Sequence, residues 1–284
     1  MIINKDGSIY HLQLHPEQVA DTILTVGDPA RVAAVSKYFD RIESKTAHRE
    51  FVTHTGWLGN KRLTVLATGI GTDNIDIVLN ELDALVNIDF QTRTPNPKTK
   101  QLNIIRIGTS GALWAGAGVD SFVISAAGIG LDNLLHFYHY NSEIAENELL
   151  QQFQAFFPTT PLPAYAFAAH QGLVNSLNIG IQGITITSPG FYAPQGRHLR
   201  TTGKLNIELL NRLNDFQYKN WRIANFEMET AAIYGLSALL GHRALSCNVI
   251  LANRILGQFS PDPAAAVDRL IQIVLEKISK SLLF

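Results

Sequence analysis

The sequence predicts an α/β fold carried by a single domain over residues 1–284. Three observations predict it. Short apolar runs rich in β-branched residues alternate with longer helical patterns, strand followed by helix along the chain. Those runs are apolar throughout rather than alternating with polar residues, as strands buried on both faces are, so the sheet should be mostly parallel or mixed. No linker rich in Pro, Gly or Ser divides the chain, and its length suffices for one large core.

Taken in order, Thr22–Val26 is the first strand, with a helix over Pro29–Tyr38. Leu63–Ala67 is the next, leading into a helix over Thr72–Val86. Asp89–Lys100 carries prolines and charges and reads as a surface loop, because an apolar strand, Leu102–Ile107, follows at once. Ser121–Ser125 is a strand ahead of a helix over Ser142–Phe157, and Gly183–Thr187 a strand ahead of a helix over Gly203–Leu213. Glu229–Leu240 is nearly all apolar and reads as a buried helix; the strand Ala244–Leu251 and a helix over Asp262–Leu282 complete the chain. Ligands of such sheets bind beyond the carboxyl ends of the strands. The segments expected there are Gly27-Asp28-Pro29-Ala30-Arg31, Thr68-Gly69-Ile70-Gly71-Thr72 and Gly108-Thr109-Ser110-Gly111. Small residues let backbone N–H groups approach an anion. None of the three fits a P-loop or a dinucleotide fingerprint, since Asn74 stands where Gly69-Ile70-Gly71 would need a third glycine.

With 23 Lys+Arg against 24 Asp+Glu, the net charge of −1 excludes the broad basic surface that nucleic acid or an anionic membrane requires. Any anion must be bound locally. The single Cys247 excludes an intramolecular disulfide and a cysteine-based zinc site, and no metal site is predicted. Nothing at the N-terminus resembles a signal peptide, and no apolar run approaches the ~20 residues of a membrane span. The expected compartment is the cytoplasm.

Two groups of residues carry chemistry. In Asn225-Phe226-Glu227-Met228-Glu229-Thr230, two carboxylates stand where a polar segment becomes an apolar helix. There the helix dipole and free N–H groups stabilise anions, so the acids either cap the helix or serve a ligand. Residues two apart on a helix point about 200° away from each other, so both should not face one ligand. The second group is Arg31, Arg49 and Arg106, each beside a small-residue cluster or in a turn leading to one. Arg106 lies inside an apolar strand and must find an anionic partner, either a bound anion or a structural ion pair. The three arginines converging with Thr109 would bind a phosphate dianion by charge-assisted hydrogen bonds.

Gly27-Asp28-Pro29-Ala30-Arg31, His48-Arg49-Glu50-Phe51, Thr68-Gly69-Ile70-Gly71, Arg106-Ile107-Gly108-Thr109-Ser110-Gly111 and Phe226-Glu227-Met228-Glu229 stand in the order and approximate spacing of a known family. From about His11 to the C-terminus the chain resembles the nucleoside phosphorylases, the family that includes the uridine and the hexameric purine enzymes. The resemblance implies one α/β domain with a central mixed β-sheet flanked by helices, assembled as a hexamer of dimers with the dimer as the minimal active unit. It implies phosphate on Gly27, Arg31, Arg106 and Thr109, with Arg49 reaching into the neighbouring subunit's site. Met228 and Glu229 would contact the ribose, and His11 its 5′-hydroxyl across the dimer interface; a histidine at the surface with no role is the alternative for His11. No cofactor is implied beyond phosphate as co-substrate, although some relatives hold a monovalent cation with the equivalent of Glu50.

Gly190-Phe191-Tyr192-Ala193-Pro194-Gln195-Gly196-Arg197 and Leu251-Ala252-Asn253-Arg254 are similar to the uridine-type pattern. There Phe191 would stack on the base while Gln195 and Arg197 read its edge. A Gln amide both donates and accepts, matching O2 and N3–H of uracil, and Arg donates toward O4. Purine-type members carry an acid that protonates the base, whereas this chain has none between Glu229 and Asp262. Ala193-Pro194 and Gly196 depart from the uridine-type loop, and Thr72-Asp73-Asn74 departs from the loop associated with the cation. The expected activity is uridine phosphorolysis, with Gln195, Arg197 and Glu229 as the residues serving the reaction. The alternatives are a purine nucleoside phosphorylase, a hydrolytic nucleosidase of the same fold, and a non-catalytic nucleoside-binding protein.

Overall fold

The computed structural model describes residues 1–157 and 164–284. In chain order the elements are β1 (Thr22–Val26), α1 (Pro29–Ser36), β2 (Arg41–His48), β3 (Phe51–Leu58), β4 (Lys61–Ala67) and α2 (Thr72–Asn87). A small ribbon of β5 (Ile88–Asp89) and β6 (Thr94–Pro95) follows, then β7 (Asn103–Ala112), β8 (Phe122–Gly130), α3 (Ile144–Phe156), β9 (Tyr165–Ala168), α4 (Gln171–Ser176) and β10 (Ile181–Thr187). The last are α5 (Ile207–Asp215), β11 (Gln217–Tyr218), β12 (Trp221–Glu227), α6 (Thr230–Leu239), β13 (Arg243–Asn253), β14 (Gln258–Phe259) and α7 (Pro263–Lys280).

The sheet runs in the order β11-β12-β10-β8-β13-β7-β1-β4-β3-β2. It is mixed. β1 lies parallel to β4 and β7, and β10 parallel to β8 and β12, whereas β13 is parallel to β7 and antiparallel to β8. β12 returns antiparallel against the far end of β7, pairing Asn225 with Ala112 and Phe226 with Gly111, so β12, β10, β8, β13 and β7 close into a ring. The seam is stitched by side chains as well, with Asn225 Nδ2 donating to Ser110 Oγ at 2.8 Å.

All five residues of β1 are buried, and they serve opposite layers. Ile23 packs with Ile75, Val78 and Leu79 of α2 and Ile233 and Tyr234 of α6. Leu24 packs on the other face with Val32 and Val35 of α1 and Leu270, Ile271 and Val274 of α7. Burying each such side chain is worth about 1.5–3 kcal/mol, which is why the polar groups of the sheet, and not its apolar face, decide where a ligand can bind. Among the described residues no helix is long and apolar enough to cross a membrane.

The predicted strands and helices are all present, with shifted ends where a cap decides. α1 starts at Pro29 because Asp28 accepts from Ala30 N at 2.9 Å. α5 starts at Ile207, after the expected Gly203, because Asn206 accepts from Leu209 N at 2.9 Å. Gly108-Thr109-Ser110-Gly111 is a correction: it is not a loop after the strand but its continuation, since β7 runs on to Ala112 beside β13. Asp89–Lys100 is a surface excursion, as expected, with Asp89 accepting from Gln91 N and Thr92 N at 2.7 and 2.9 Å.

Candidate functional site

Ring closure sets the end of β12 over the middle of β7, so Glu227 and Glu229 meet Arg106. Arg106 is only 6% exposed. Its Nη2 donates to Glu229 Oε2 and lies 3.4 Å from Glu227 Oε2, while its Nη1 donates to Asn248 Oδ1 at 2.6 Å. Burial works against the Arg106 charge, but Glu229 and Glu227 outweigh it and hold the guanidinium above its ordinary pKa. Gly108 makes this possible: a Cβ there would overlap Arg106 Nη1 and Asn248 Oδ1. Its smallness makes room for an arginine, whereas sequence reasoning assigned it to a backbone cradle.

The expectation that Glu227 and Glu229 diverge is also corrected. α6 begins at Thr230, so Glu227 ends a strand and Glu229 is the residue before the helix. Helical geometry does not govern their angle, and both carboxylates turn to Arg106. They differ in what else they do. Glu227 accepts from Glu229 N at 2.9 Å, from Thr230 N at 2.9 and 3.1 Å and from Thr187 Oγ1 at 2.7 Å, which makes it the cap of α6. Burial pushes its pKa up, and Arg106 opposes that. Glu229 accepts from Gly71 N at 2.9 Å, across the β4–α2 turn where Gly69 and Gly71 take φ of 73° and 100°. It is the carboxylate with fewer internal bonds.

Arg31, in the first turn of α1, donates to Ile107 O at 3.4 Å. Burial and the neighbouring Arg106 charge both pull its pKa down, while Asp28 and Glu229 raise it, so Arg31, Arg106 and Glu229 share one electrostatic neighbourhood. Gly27 precedes α1; Thr109 lies half-buried on β7 and Met228 half-buried between the glutamates. Arg49 does not join this group. It sits exposed in the β2–β3 turn at φ 53°, and its guanidinium makes no hydrogen bond or ion pair among the described residues. A cleft of about 610 Å³ between α1 and α7 shares Asp28 and Arg31 with the site, and none of the predicted ribose or base residues lines it.

At the other end, Gln195 closes a short 3-10 turn, Ala193–Gln195, and is 3% exposed. Its Oε1 accepts from Arg197 Nη1 at 2.7 Å and from Arg254 Nη2 at 3.0 Å, and Arg254 Nη1 donates to its carbonyl. Its amide N–H groups make no hydrogen bond among the described residues. Gly196 takes φ 69°, and a Cβ there would stand 2.7 Å from Leu210 Cδ1, so the departure from a larger residue is a requirement of this turn. Arg197 donates to Phe191 O at 2.7 Å and lies 3.7 Å from the centre of the half-exposed Phe191 ring, a cation–π contact. Arg254 is half-buried, and desolvation together with Arg197 brings its pKa down to about 10.

His11 belongs to a third cluster. Its Nδ1 is 2.6 Å from Glu81 Oε1, and its carbonyl lies 2.9 Å from His48 Nδ1, next to Arg49. Glu50 packs on the Gly69 turn, where a Cβ would meet its Cγ at 3.1 Å. Among the described residues no group of three or more His, Cys, Asp and Glu could hold a metal ion. Sequence reasoning gave no role to Asn248 or Glu81, and it placed Arg254 in a base-selecting segment without its bonds to Gln195. For Arg254 and Asn248 the signal was present, in polar side chains within or just after the apolar run Ala244–Leu251; Glu81 had none, since an acid on an amphipathic helix looks like a solvated face.

The profile of the phosphorylase superfamily matches residues 21–280. The chain is 28% identical over 256 residues to a uridine phosphorylase of Thermococcus kodakarensis, covering 90% of this chain and 81% of that one. It is 29% identical over 250 residues to a uridine phosphorylase of Haemophilus influenzae, covering 87% of each. Among solved structures it is similar to a Trypanosoma brucei nucleoside phosphorylase described as showing uridine phosphorylase activity, with a TM-score of 0.90, 27% identity and coverage of 99% of this chain and 100% of that one.

Proposed function

The chain belongs to the phosphorylase superfamily, and from that premise we propose that it catalyses the phosphorolysis of uridine to uracil and ribose 1-phosphate. The observation that carries the reading is the buried Arg106 sharing one charge neighbourhood with Arg31 and Glu229. Hydrolysis by water has no use for a buried arginine and a half-buried one beside a hydroxyl-binding carboxylate, and phosphorolysis needs both.

Phosphate is held by Arg31, Arg106, Thr109 and the backbone at Gly27, beneath a ribose gripped by Glu229 and packed on Met228. A phosphate oxygen attacks C1′ as the bond from C1′ to uracil N1 breaks, and that bond's electron pair leaves with the uracil. The ribose passes through oxocarbenium character, so bound phosphate is both nucleophile and stabilising charge, and catalysis is proximity and electrostatics. Gln195 and Arg197 donate to the uracil as its negative charge develops, and Arg254 fixes the Gln195 carbonyl end so that the amide N–H groups face the base. Arg197 shifts from the Phe191 ring to the base edge, and Phe191 then stacks on the base.

The charge balance supports a role for Arg49 in another copy's site. Arg31 and Arg106 are already matched by Glu227 and Glu229, so a phosphate dianion needs a further cation. Arg49, exposed and without a hydrogen bond or ion pair among the described residues, supplies it across a dimer interface, together with His11. A dimer is then the minimal active unit and a hexamer the assembly, working in the cytoplasm. The test is incubation with uridine, inosine and methylthioadenosine, with and without phosphate. Uracil appearing only with phosphate, with ribose 1-phosphate in equal amount, supports the reading; uracil released without phosphate overturns it.

A further inference from the structure

We infer that Glu81, a residue of α2 with no part in the chemistry described so far, is the positioning residue that aims His11 at the ribose 5′-hydroxyl. The inference rests on the proposed uridine phosphorolysis and deepens it. Both Glu81 oxygens are engaged by one short segment. His11 N donates to Oε1 and Oε2 at 3.0 Å each, Leu12 N donates to Oε2 at 2.9 Å, and His11 Nδ1 lies 2.6 Å from Oε1. A carboxylate only accepts, so Nδ1 carries a proton, and in the tautomer that this bond fixes Nε2 is the nitrogen left to accept. Nε2 makes no hydrogen bond among the described residues, and the side chain is 25% exposed.

The ring has little freedom to turn away. Tyr10 meets it edge-on with centroids 4.6 Å apart, Phe51 does so at 6.5 Å, and the carbonyl of His11 is bonded to the His48 ring at 2.9 Å. The neighbouring helix residues Val78, Leu79 and Leu82 are fully buried, which fixes α2 and so the place of Glu81. A carboxylate on Nδ1 also makes Nε2 a stronger acceptor, as it does for histidines that bind metals. The hydroxyl at C5′ is the group such an acceptor would select, and a nucleoside lacking it would lose the bond.

The experiment compares kcat/KM for uridine and 5′-deoxyuridine in the full-length wild type, His11→Ala, Glu81→Gln and Glu81→Asp. The wild type should favour uridine by about tenfold, the size of one good hydrogen bond, and His11→Ala should remove the preference. Glu81→Gln, whose amide must set an N–H against one of the donors around it, should cut the preference to about two- or threefold while leaving the KM for phosphate and kcat/KM for 5′-deoxyuridine within about twofold. Glu81→Asp, which keeps the charge but draws it back from Nδ1, should fall between, and it answers the question if the Gln variant does not fold. Equal losses on both nucleosides, with the preference intact, would make Glu81 a mere anchor for residues 10–12 and overturn the inference. So would a wild type indifferent to the 5′-hydroxyl. Absence of phosphate-dependent cleavage of either nucleoside by the wild type would instead strike the proposed function itself.

Discussion

Arg106→Met should destabilise the protein strongly, and by an amount that depends on pH. The wild-type guanidinium touches Glu229, stands 3.4 Å from Glu227 and donates to Asn248, all of them buried. Methionine fits the volume but leaves two buried carboxylates facing each other and the Asn248 oxygen without its donor. Removing one partner of a buried ion pair costs about 3–5 kcal/mol. For a chain of this size that is a fall of about 5–10 °C in Tm. The pH dependence follows from Glu227. Its folded pKa lies above its ordinary value because of burial, and Arg106 opposes the rise. A carboxyl with a raised folded pKa contributes stability that is complete below the unfolded pKa, about 4.5, and is lost as pH climbs through the folded value. Without Arg106 the folded pKa rises further, so the deficit of the variant should shrink as pH falls from 8 toward 5. Thermal unfolding of both proteins across that range is the assay. A deficit under about 1 kcal/mol, or one that does not change with pH, would refute the claim that Arg106 neutralises this pair.

Arg197→Ala should lower kcat as well as raise KM for uridine, because its bond to the base strengthens as charge develops; an effect on KM alone would place it in ground-state binding only. Gly108→Ala should raise the KM for phosphate about tenfold or more, since the added methyl occupies the place of the Arg106 guanidinium; steady-state kinetics with phosphate as the varied substrate would show it, and an unchanged KM would mean that Arg106 does not serve the anion. Arg49→Ala and Glu229→Ala should each be inactive alone. Co-expressed, they should regain about a quarter of the wild-type rate, because half of the randomly formed dimers are mixed and each of those carries one intact site. No recovery in co-purified mixed oligomers would assign Arg49 to its own chain's site.

The elements built on unbroken apolar runs were readable from local pattern alone. β12 was not, because in Trp221-Arg222-Ile223-Ala224-Asn225-Phe226-Glu227 the polar residues read as surface, whereas Asn225 and Glu227 are buried and bonded to Ser110, Thr185 and Thr187. β2 was missed for the opposite reason: it is an edge strand whose polar residues face solvent. Arg106 was readable as a problem, since a charge inside an apolar strand needs a partner, but not its solution. The two readings offered for it, ion pair and anion site, turn out to be compatible: the ion pair with Glu229 lies beside Arg31. Glu81 escaped, as did the contact of Arg254 with Gln195, because the partners lie 70 and 59 residues apart in sequence.

Ring closure explains why these distant groups form one site. Paired only with β10, β12 would carry its glutamates to the outer edge of the sheet, where water would solvate them and Arg106 would remain a bare cation in the core. The antiparallel contact of Phe226 and Asn225 with Gly111 and Ala112 turns that edge back over β7. Glu227 then has two functions that cannot be separated: it caps the start of α6 by accepting the Glu229 and Thr230 N–H groups, and it supplies half of the countercharge that lets an arginine exist inside the sheet. Glu229 supplies the other half, and among the described residues its carboxylate has only Gly71 N as a further partner. It is therefore the carboxylate that can exchange a contact for a ribose hydroxyl without unravelling a helix end. Glu227→Gln should accordingly lower thermal stability, while Glu229→Gln should leave Tm nearer the wild type and raise the KM for uridine; the reverse pattern would exchange the two roles.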